Sequence, residues 1–100
     1  MYIPWVRLAA HEKLLFKVTR SMRCIFMTVD QGGILVFRAY FDSEPTEDDK
    51  DLLSDALCET AYSFEEIHGH RMECFFSIEP FEKLDKLDYW LFVRAEELEQ

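Results

Sequence analysis

The chain has 100 residues, of which 49% are hydrophobic and 15% aromatic, enough apolar material for one folded domain but too little for two. Its 20 acidic residues against 11 Lys and Arg give a formal net charge of −9. Such a surface repels nucleic-acid phosphates and attracts basic proteins. We therefore expect one domain over residues 1–100 that binds a protein and not a nucleic acid.

The cysteines and the N-terminal segment favour a cytoplasmic location. Cys24, Cys58 and Cys74 are odd in number and widely spaced, without a CxxC pair, which is typical of reduced thiols. Charged residues interrupt the apolar stretch at residues 1–16 before it reaches the length of a signal-peptide core or a membrane span. We expect no membrane association.

The first predicted elements are a helix and a hairpin. Leu8, Leu15 and Val18 recur at helical spacing and predict a helix over residues 6–21 with these side chains on its apolar side. Strands are predicted at "MRCIFMTVD" and "ILVFRAYFD", which are rich in β-branched and aromatic residues. The "QGG" between them supplies glycines for a tight turn, so the two strands should form a hairpin.

A second helix is predicted over residues 47–64. Its apolar residues recur at i, i+3, i+4, i+7, i+8 and i+11, namely Leu53, Ala56, Leu57, Thr60, Ala61 and Phe64. Thr46 is a suitable N-cap, and Asp49 three residues later completes a capping box. The acidic first turn complements the positive end of the helix dipole.

The last two predicted strands are "RMECFFSIE" and "DYWLFVRAE", joined by a short charged connection with room for a turn of helix at "FEKLDKL". The element order is then αββαββ. Because each strand can be reached through a hairpin or a helix, we expect an α+β two-layer domain. It would contain a four-stranded antiparallel sheet with both helices on one face.

The acidic residues around the second helix exceed what a helix start requires. The segment "DSEPTEDDKD" holds six carboxylates and one lysine. Asp48, Asp51, Asp55 and Glu59 follow at i, i+3, i+7 and i+11 as a stripe opposite the apolar side. Like charges at i, i+4 destabilise an isolated helix. The stripe is either a solvated surface or an electrostatic docking surface for a basic protein.

Alternation in the strands predicts a second binding surface, on the sheet face turned away from the helices. That face would carry the residue types that dominate interface hot spots: Arg38, Tyr40, Phe75, Trp90 and Phe92, with Val36 and Arg94 beside them. Three alternatives remain: a homodimer or the C-terminal segment covers the face, or the assignment of the last strand is off by one residue. Aromatic sheets also bind single-stranded RNA, but the charge argues against it.

No catalytic motif stands out. His68 and His70 form a His-x-His pair, which can chelate a metal when a third ligand converges. The glycine between them places the pair in a loop, so we predict no metal site, no cofactor and no enzymatic activity.

Four segments of the sequence are similar to those of a known protein family: Ala9–Leu15, Met22–Ile25, Tyr40–Leu53 and "YWLFVR". They resemble a group of small bacterial immunity proteins encoded beside toxins of contact-dependent growth-inhibition systems. The resemblance implies a cytosolic, non-enzymatic antitoxin that binds the catalytic domain of a cognate toxin, frequently a nuclease, and occludes its active site. The strongest alternative is a small acidic secretion-type chaperone that holds an effector segment on an open sheet face.

Overall fold

The computed structural model describes residues 2–96 and confirms an α+β fold with two α-helices and a four-stranded sheet. The elements are α1 (Ile3–Lys13), β1 (Met22–Val29), β2 (Ile34–Phe41), α2 (Glu47–Tyr62), β3 (Gly69–Phe76), a 3-10 turn (Phe81–Lys83) and β4 (Tyr89–Val93). The strands lie in the order β3-β2-β1-β4. The predicted hairpin β1–β2 therefore forms the centre of the sheet, and the two later strands form its edges.

The prediction of an all-antiparallel sheet is wrong, because β3 runs parallel to β2. A helix as long as α2 extends about 24 Å, nearly the length of the strand before it, and so returns the chain to the end where β2 began. There the His68 amide donates a hydrogen bond to the Gly33 carbonyl over 2.8 Å. β3 then starts beside Ile34 and follows β2 in the same direction. β1 pairs antiparallel with both β2 and β4.

Glycine is required at position 33 for two reasons. Gly33 has a φ of +78°, which the hairpin turn demands and which side chains disfavour. A Cβ atom at this position would also lie 2.8 Å from the carbonyl oxygen of Glu66. The hairpin turn and the loop between α2 and β3 can therefore approach each other only because residue 33 has no side chain.

The first helix differs from the prediction in its ends and in the side that it buries. α1 ends at Lys13 rather than at Ser21, and the chain then turns through Phe16, whose φ is +67°. The buried side chains are Val6, Ala10 and Leu14, at i, i+4 and i+8. The larger Leu8 and Leu15, expected on the apolar side, are exposed. Because Leu14 is buried while Leu8 and Leu15 are exposed, the position of a residue around the helix, and not the size of its side chain, decides whether it is buried.

The predicted two-layer arrangement with one open sheet face is also wrong. On one face, α1 and α2 pack on the strands and form the main core. On the other face, the connection between β3 and β4 places Phe81, Leu84 and Leu87 over Cys24, Phe26 and Tyr40. The 3-10 turn lies within the segment "FEKLDKL", where a turn of helix was predicted, but on the opposite face of the sheet from the two α-helices.

A β-bulge in β4 decides the face on which Phe92 lies. The pairing register shifts between Ile25 and Phe26, whose partners are Phe92 and Trp90. Residues that pair directly share a face, so Phe92 joins Ile25 in the helix-side core while Trp90 joins Phe26 on the other side. Leu91 is the extra residue that breaks the alternation. The prediction that Phe92 and Trp90 share an exposed face is therefore wrong.

Ion pairs connect the residues that directly follow β4 to the rest of the sheet. The buried Arg23 guanidinium binds both carboxylate oxygens of Glu96, over 2.7 and 2.9 Å, and the carbonyl of Ser77 over 2.9 Å. Arg94 binds Asp42 over 2.7 Å and Glu96 over 3.3 Å. The hydrogen bond from Arg23 holds the pKa of Glu96 below its usual value. A buried arginine needs such partners, because an unpaired charge in the interior is strongly destabilising.

Asp49 fixes the N-terminus of α2 and confirms the predicted capping box. The Thr46 hydroxyl accepts from the Asp49 amide (3.1 Å), and the Asp49 carboxylate accepts from the Thr46 amide (3.2 Å). The same carboxylate accepts from the hydroxyls of Thr19 (2.9 Å) and Ser21 (3.3 Å). Burial raises the pKa of a carboxyl group, but these hydrogen bonds outweigh it and hold the pKa of Asp49 below its usual value. Asp49 thereby joins α2 to the segment before β1.

Replacing Asp49 with Ala should lower the free energy of unfolding by about 1 to 3 kcal/mol, because the cap and two hydroxyl partners are lost together. Urea denaturation measures this loss. Because the folded-state pKa is lowered, the carboxylate stabilises the fold above the ordinary Asp value of 3.8, and this contribution is lost as the pH falls through the lowered pKa. Asp48→Ala, an exposed change in the same turn, should cost less than about 0.5 kcal/mol. Equal losses for the two variants would contradict the role of Asp49.

Candidate partner-binding surfaces

The acidic stripe lies on the outer side of α2. Asp48, Asp51, Asp55 and Glu59 are all exposed, opposite the side chains that α2 buries. Glu59 pairs with Lys17 over 3.4 Å, and within residues 2–96 no salt bridge reaches the other three. An exposed ion pair contributes only about 0 to 1 kcal/mol. The stripe therefore keeps most of its negative charge uncompensated.

Three of the predicted sheet-face aromatics, Tyr40, Phe75 and Trp90, form a ladder of four rings together with Phe26, one ring from each strand. Its members, in order across the sheet, are Phe75, Tyr40, Phe26 and Trp90, with successive ring centroids 5.6, 6.3 and 5.9 Å apart. Phe81 packs against the last two rings at 6.1 and 5.3 Å. The two inner rings are buried, whereas Phe75 is 45% and Trp90 44% exposed. Most of the ladder thus forms a second, smaller core.

Two of the predicted contact residues already have partners within the fold. The Tyr40 hydroxyl donates to the Asp85 carbonyl over 2.8 Å, and burial raises the pKa of this hydroxyl. Arg38 donates to the Glu73 carboxylate over 2.7 Å and to the Asp85 carbonyl over 3.3 Å. The hydrogen bond from Arg38 lowers the pKa of Glu73. Both side chains hold the connection between β3 and β4 against the sheet, and a role in binding a partner stays a prediction for each.

Phe75 and Trp90 are the predicted sheet-face aromatics that remain substantially exposed on that side. They lie on the two edge strands, three strand spacings or about 14 Å apart. The segment that carries Phe81 and Leu84 covers the sheet between them. They form two small patches and not one continuous surface. An open sheet face, which the chaperone alternative needs, is therefore not available at the centre of this sheet.

Two apolar features of the structure were not predicted from the sequence. Phe81, Leu84 and Leu87 recur at every third position, and this spacing could have indicated a segment that covers the sheet. The second feature is the outer side of α1, where Trp5 is 66% and Leu8 58% exposed. The signal for it was an α1 sequence with apolar residues on two sides, since one apolar side is enough to pack a helix on a sheet.

The two histidines lie beside a shallow cleft of about 230 Å³ at the C-terminal end of α2. The His70 Nε2 atom is 3.6 Å from the Cys58 Sγ atom, a pair that supplies fewer ligands than a protein zinc site uses. In the described part of the chain, no three metal-ligating side chains converge. Neither helix within residues 2–96 has the length and apolar character needed to cross a bilayer.

Trp90→Ala should lower the free energy of unfolding by about 1 to 3 kcal/mol, because the half-exposed indole packs on Phe26 and Phe81. Chemical denaturation measures the change. Ile78→Ala removes an apolar side chain that is more exposed, and it should cost less than about 0.5 kcal/mol. A Trp90 variant as stable as the Ile78 variant would show that the ladder does not stabilise the fold.

The comparison with known families agrees with the resemblance found in the sequence. The family model of the MafI2 immunity protein matches residues 3–96, nearly the whole chain. No curated protein matches the chain. The resemblance to bacterial immunity proteins of polymorphic toxin systems is thereby confirmed. The chain belongs to the MafI2 immunity protein family, whose members protect against a cognate toxin.

Proposed function

We propose that this protein neutralises a toxin with a basic catalytic domain, a nuclease, by binding it stoichiometrically and occluding its active site. The observation that carries the proposal is the exposed and uncompensated acidic stripe of α2. The active site of a nuclease has to hold phosphate charge, so an acidic protein surface complements the same positive potential. The toxin belongs to a contact-dependent growth-inhibition system.

The distribution of cations supports this proposal. Arg23, Arg38 and Arg94 form ion pairs inside the fold, with Glu96, Glu73 and Asp42. The carboxylates that these arginines bind lie outside the stripe, so their salt bridges leave its charge uncompensated. With a net charge of −9, the molecule presents a strongly negative field to an approaching basic protein. Complementary fields of this kind raise association rate constants to about 10⁸ to 10⁹ M⁻¹s⁻¹ at low salt.

The proposed mechanism needs no chemistry by the immunity protein itself. The buried Cys24 thiol has a pKa raised to about 11 by burial, so it stays protonated and is a poor nucleophile. All three cysteines are free thiols, which are stable in a reducing compartment. We place the protein in the cytoplasm, where an incoming toxin would meet its substrate.

The first test is a titration of the toxin domain encoded beside this chain's gene with the purified immunity protein. Inhibition of nuclease activity should increase linearly and become complete at one equivalent, because each copy blocks one active site. Size-exclusion chromatography with light scattering should show the matching one-to-one complex. Progressive inactivation by a small fraction of an equivalent would contradict occlusion and indicate turnover.

The second test changes Asp51 and Asp55 together to Asn. The association rate constant at low salt should fall by about 3- to 10-fold, because two steering charges are lost. The difference from wild type should disappear near 1 M salt, where the Debye length is about 3 Å. Stability should be unchanged or slightly higher, since a like-charge i, i+4 pair is removed. Stopped-flow association across a salt series measures both effects.

The matched control for this pair is Glu79→Gln with Glu82→Gln. It changes the net charge equally, at two exposed positions in the connection between β3 and β4, outside α2. Its association rate constant should stay within about 2-fold of wild type if the position of the charges matters as well as their number. Equal losses for the two double variants would show that total charge alone steers the toxin.

A further inference from the structure

The outer side of α1 and the turn after it expose a group of large apolar side chains. We call this group the α1 patch, and its members are Trp5, Leu8, Leu15 and Phe16. Trp5 and Leu8 are well over half exposed, and Phe16 is fully exposed. Exposed apolar residues scattered singly are normal on a protein surface, but a group that includes Trp marks a candidate for protein contact.

Two of these residues show a local constraint, Trp5 in a ring contact and Phe16 in its backbone conformation. The Trp5 ring meets the Tyr2 ring edge to face, with centroids 5.5 Å apart. Phe16 has a φ of +67°, a conformation that residues with a Cβ atom rarely adopt. Local strain of this kind persists where the surrounding structure imposes it, and it occurs often at binding sites. The turn thus presents Phe16 to solvent at a cost in stability.

The α1 patch and the acidic stripe lie on two helices that contact each other on the same face of the sheet. The Arg7 guanidinium donates to the Trp90 carbonyl of β4 over 2.7 Å, so this side of α1 faces β4. Trp5 lies two residues away, about 200° around the helix, and therefore points away from β4, with 66% of its surface exposed. After α1, Lys17 pairs with Glu59 at the end of the stripe over 3.4 Å, directly beside Phe16 in the chain. The two helices pack side by side on the sheet.

We propose that the α1 patch and the acidic stripe form one binding surface for the toxin, in which Trp5 and Phe16 are the apolar anchors and the carboxylates of α2 are the charged rim. The partner that fits is a toxin surface with an apolar depression bordered by Lys and Arg. This inference rests on the proposed function and names the surface that carries it out. It assigns the main contact to the helix side and not to the aromatic ladder.

The charge distribution favours a basic protein as the partner of this surface over a second copy of the chain or a membrane. A second copy of the chain would bring two acidic stripes and two net charges of −9 together, which is unfavourable. An anionic membrane would repel the same surface. A basic protein gains from both components, because apolar anchors at the centre and opposite charges at the rim are the usual arrangement of a tight interface.

The test compares the affinities of three variants for the toxin domain encoded beside this chain's gene, measured by calorimetry. Trp5→Ala and Phe16→Gly should each weaken binding by about 10- to 100-fold, as expected for interface anchors. Tyr62→Ala removes an exposed aromatic side chain from the end of α2 and should change the dissociation constant by less than about 2-fold. Phe16→Gly should keep or raise the thermal midpoint, because glycine adopts the positive φ without strain.

The possible results distinguish a failure of the α1 patch as the binding surface from a failure of the proposed function. If wild type binds the toxin and both patch variants bind equally well, the α1 patch is rejected while the proposed function stands. If wild type does not bind, the proposed function fails and this inference with it. A wild-type dimer that the patch variants dissociate, with unchanged toxin affinity, would reject the toxin as the occupant in favour of a second copy. Loss of binding with an unchanged thermal midpoint in Phe16→Gly supports the inference.

Discussion

The burial of β1 on both of its faces is the constraint on which the rest of the structure depends. Six successive residues, from Met22 to Met27, are buried. A strand with such a run needs cover above and below, in contrast to a strand of an open two-layer sheet, which alternates between core and solvent. The helices supply one cover, and the segment with Phe81 and Leu84 supplies the other. The buried Arg23 within this run needs an anionic partner, and Glu96, three residues after β4, supplies it.

The acidic residues of α2 divide into two groups with different physical roles. Asp49 points inward, and its carboxylate accepts three hydrogen bonds, from the Thr46 amide at its own helix start and from the Thr19 and Ser21 hydroxyls before β1. Asp51 and Asp55 point outward and are bound by no cation within residues 2–96. The same helix therefore uses one carboxylate to hold its position and the others to shape the field around the molecule. Neighbouring acids in one sequence segment can thus serve stability and recognition separately.

Features that depend on local spacing could be predicted from the sequence. The hairpin with its glycine turn, the length of α2 and its capping box all follow from patterns within a few residues. The parallel direction of β3 could not be predicted in this way, because a helix between two strands is compatible with either direction until its length is compared with that of the strands.

The exposure of the acidic stripe followed from the periodicity of α2, whereas the predicted aromatic surface depended on an unbroken alternation in β4. One extra residue, Leu91, was enough to move Phe92 to the other face.

The position of β1 between β2 and β4 has a consequence for the order in which the sheet forms while the chain is being synthesised. Met27 of β1 pairs with Tyr89 of β4, about 60 residues later in the chain. At a synthesis rate of about 5 to 20 residues per second, β1 keeps one unpaired edge for several seconds after it has been made. α1 reaches its place against β4 only when this last strand arrives. The sheet can therefore be completed only after the last strand has been synthesised, so the first-made strand of its central pair is the last to gain both neighbours.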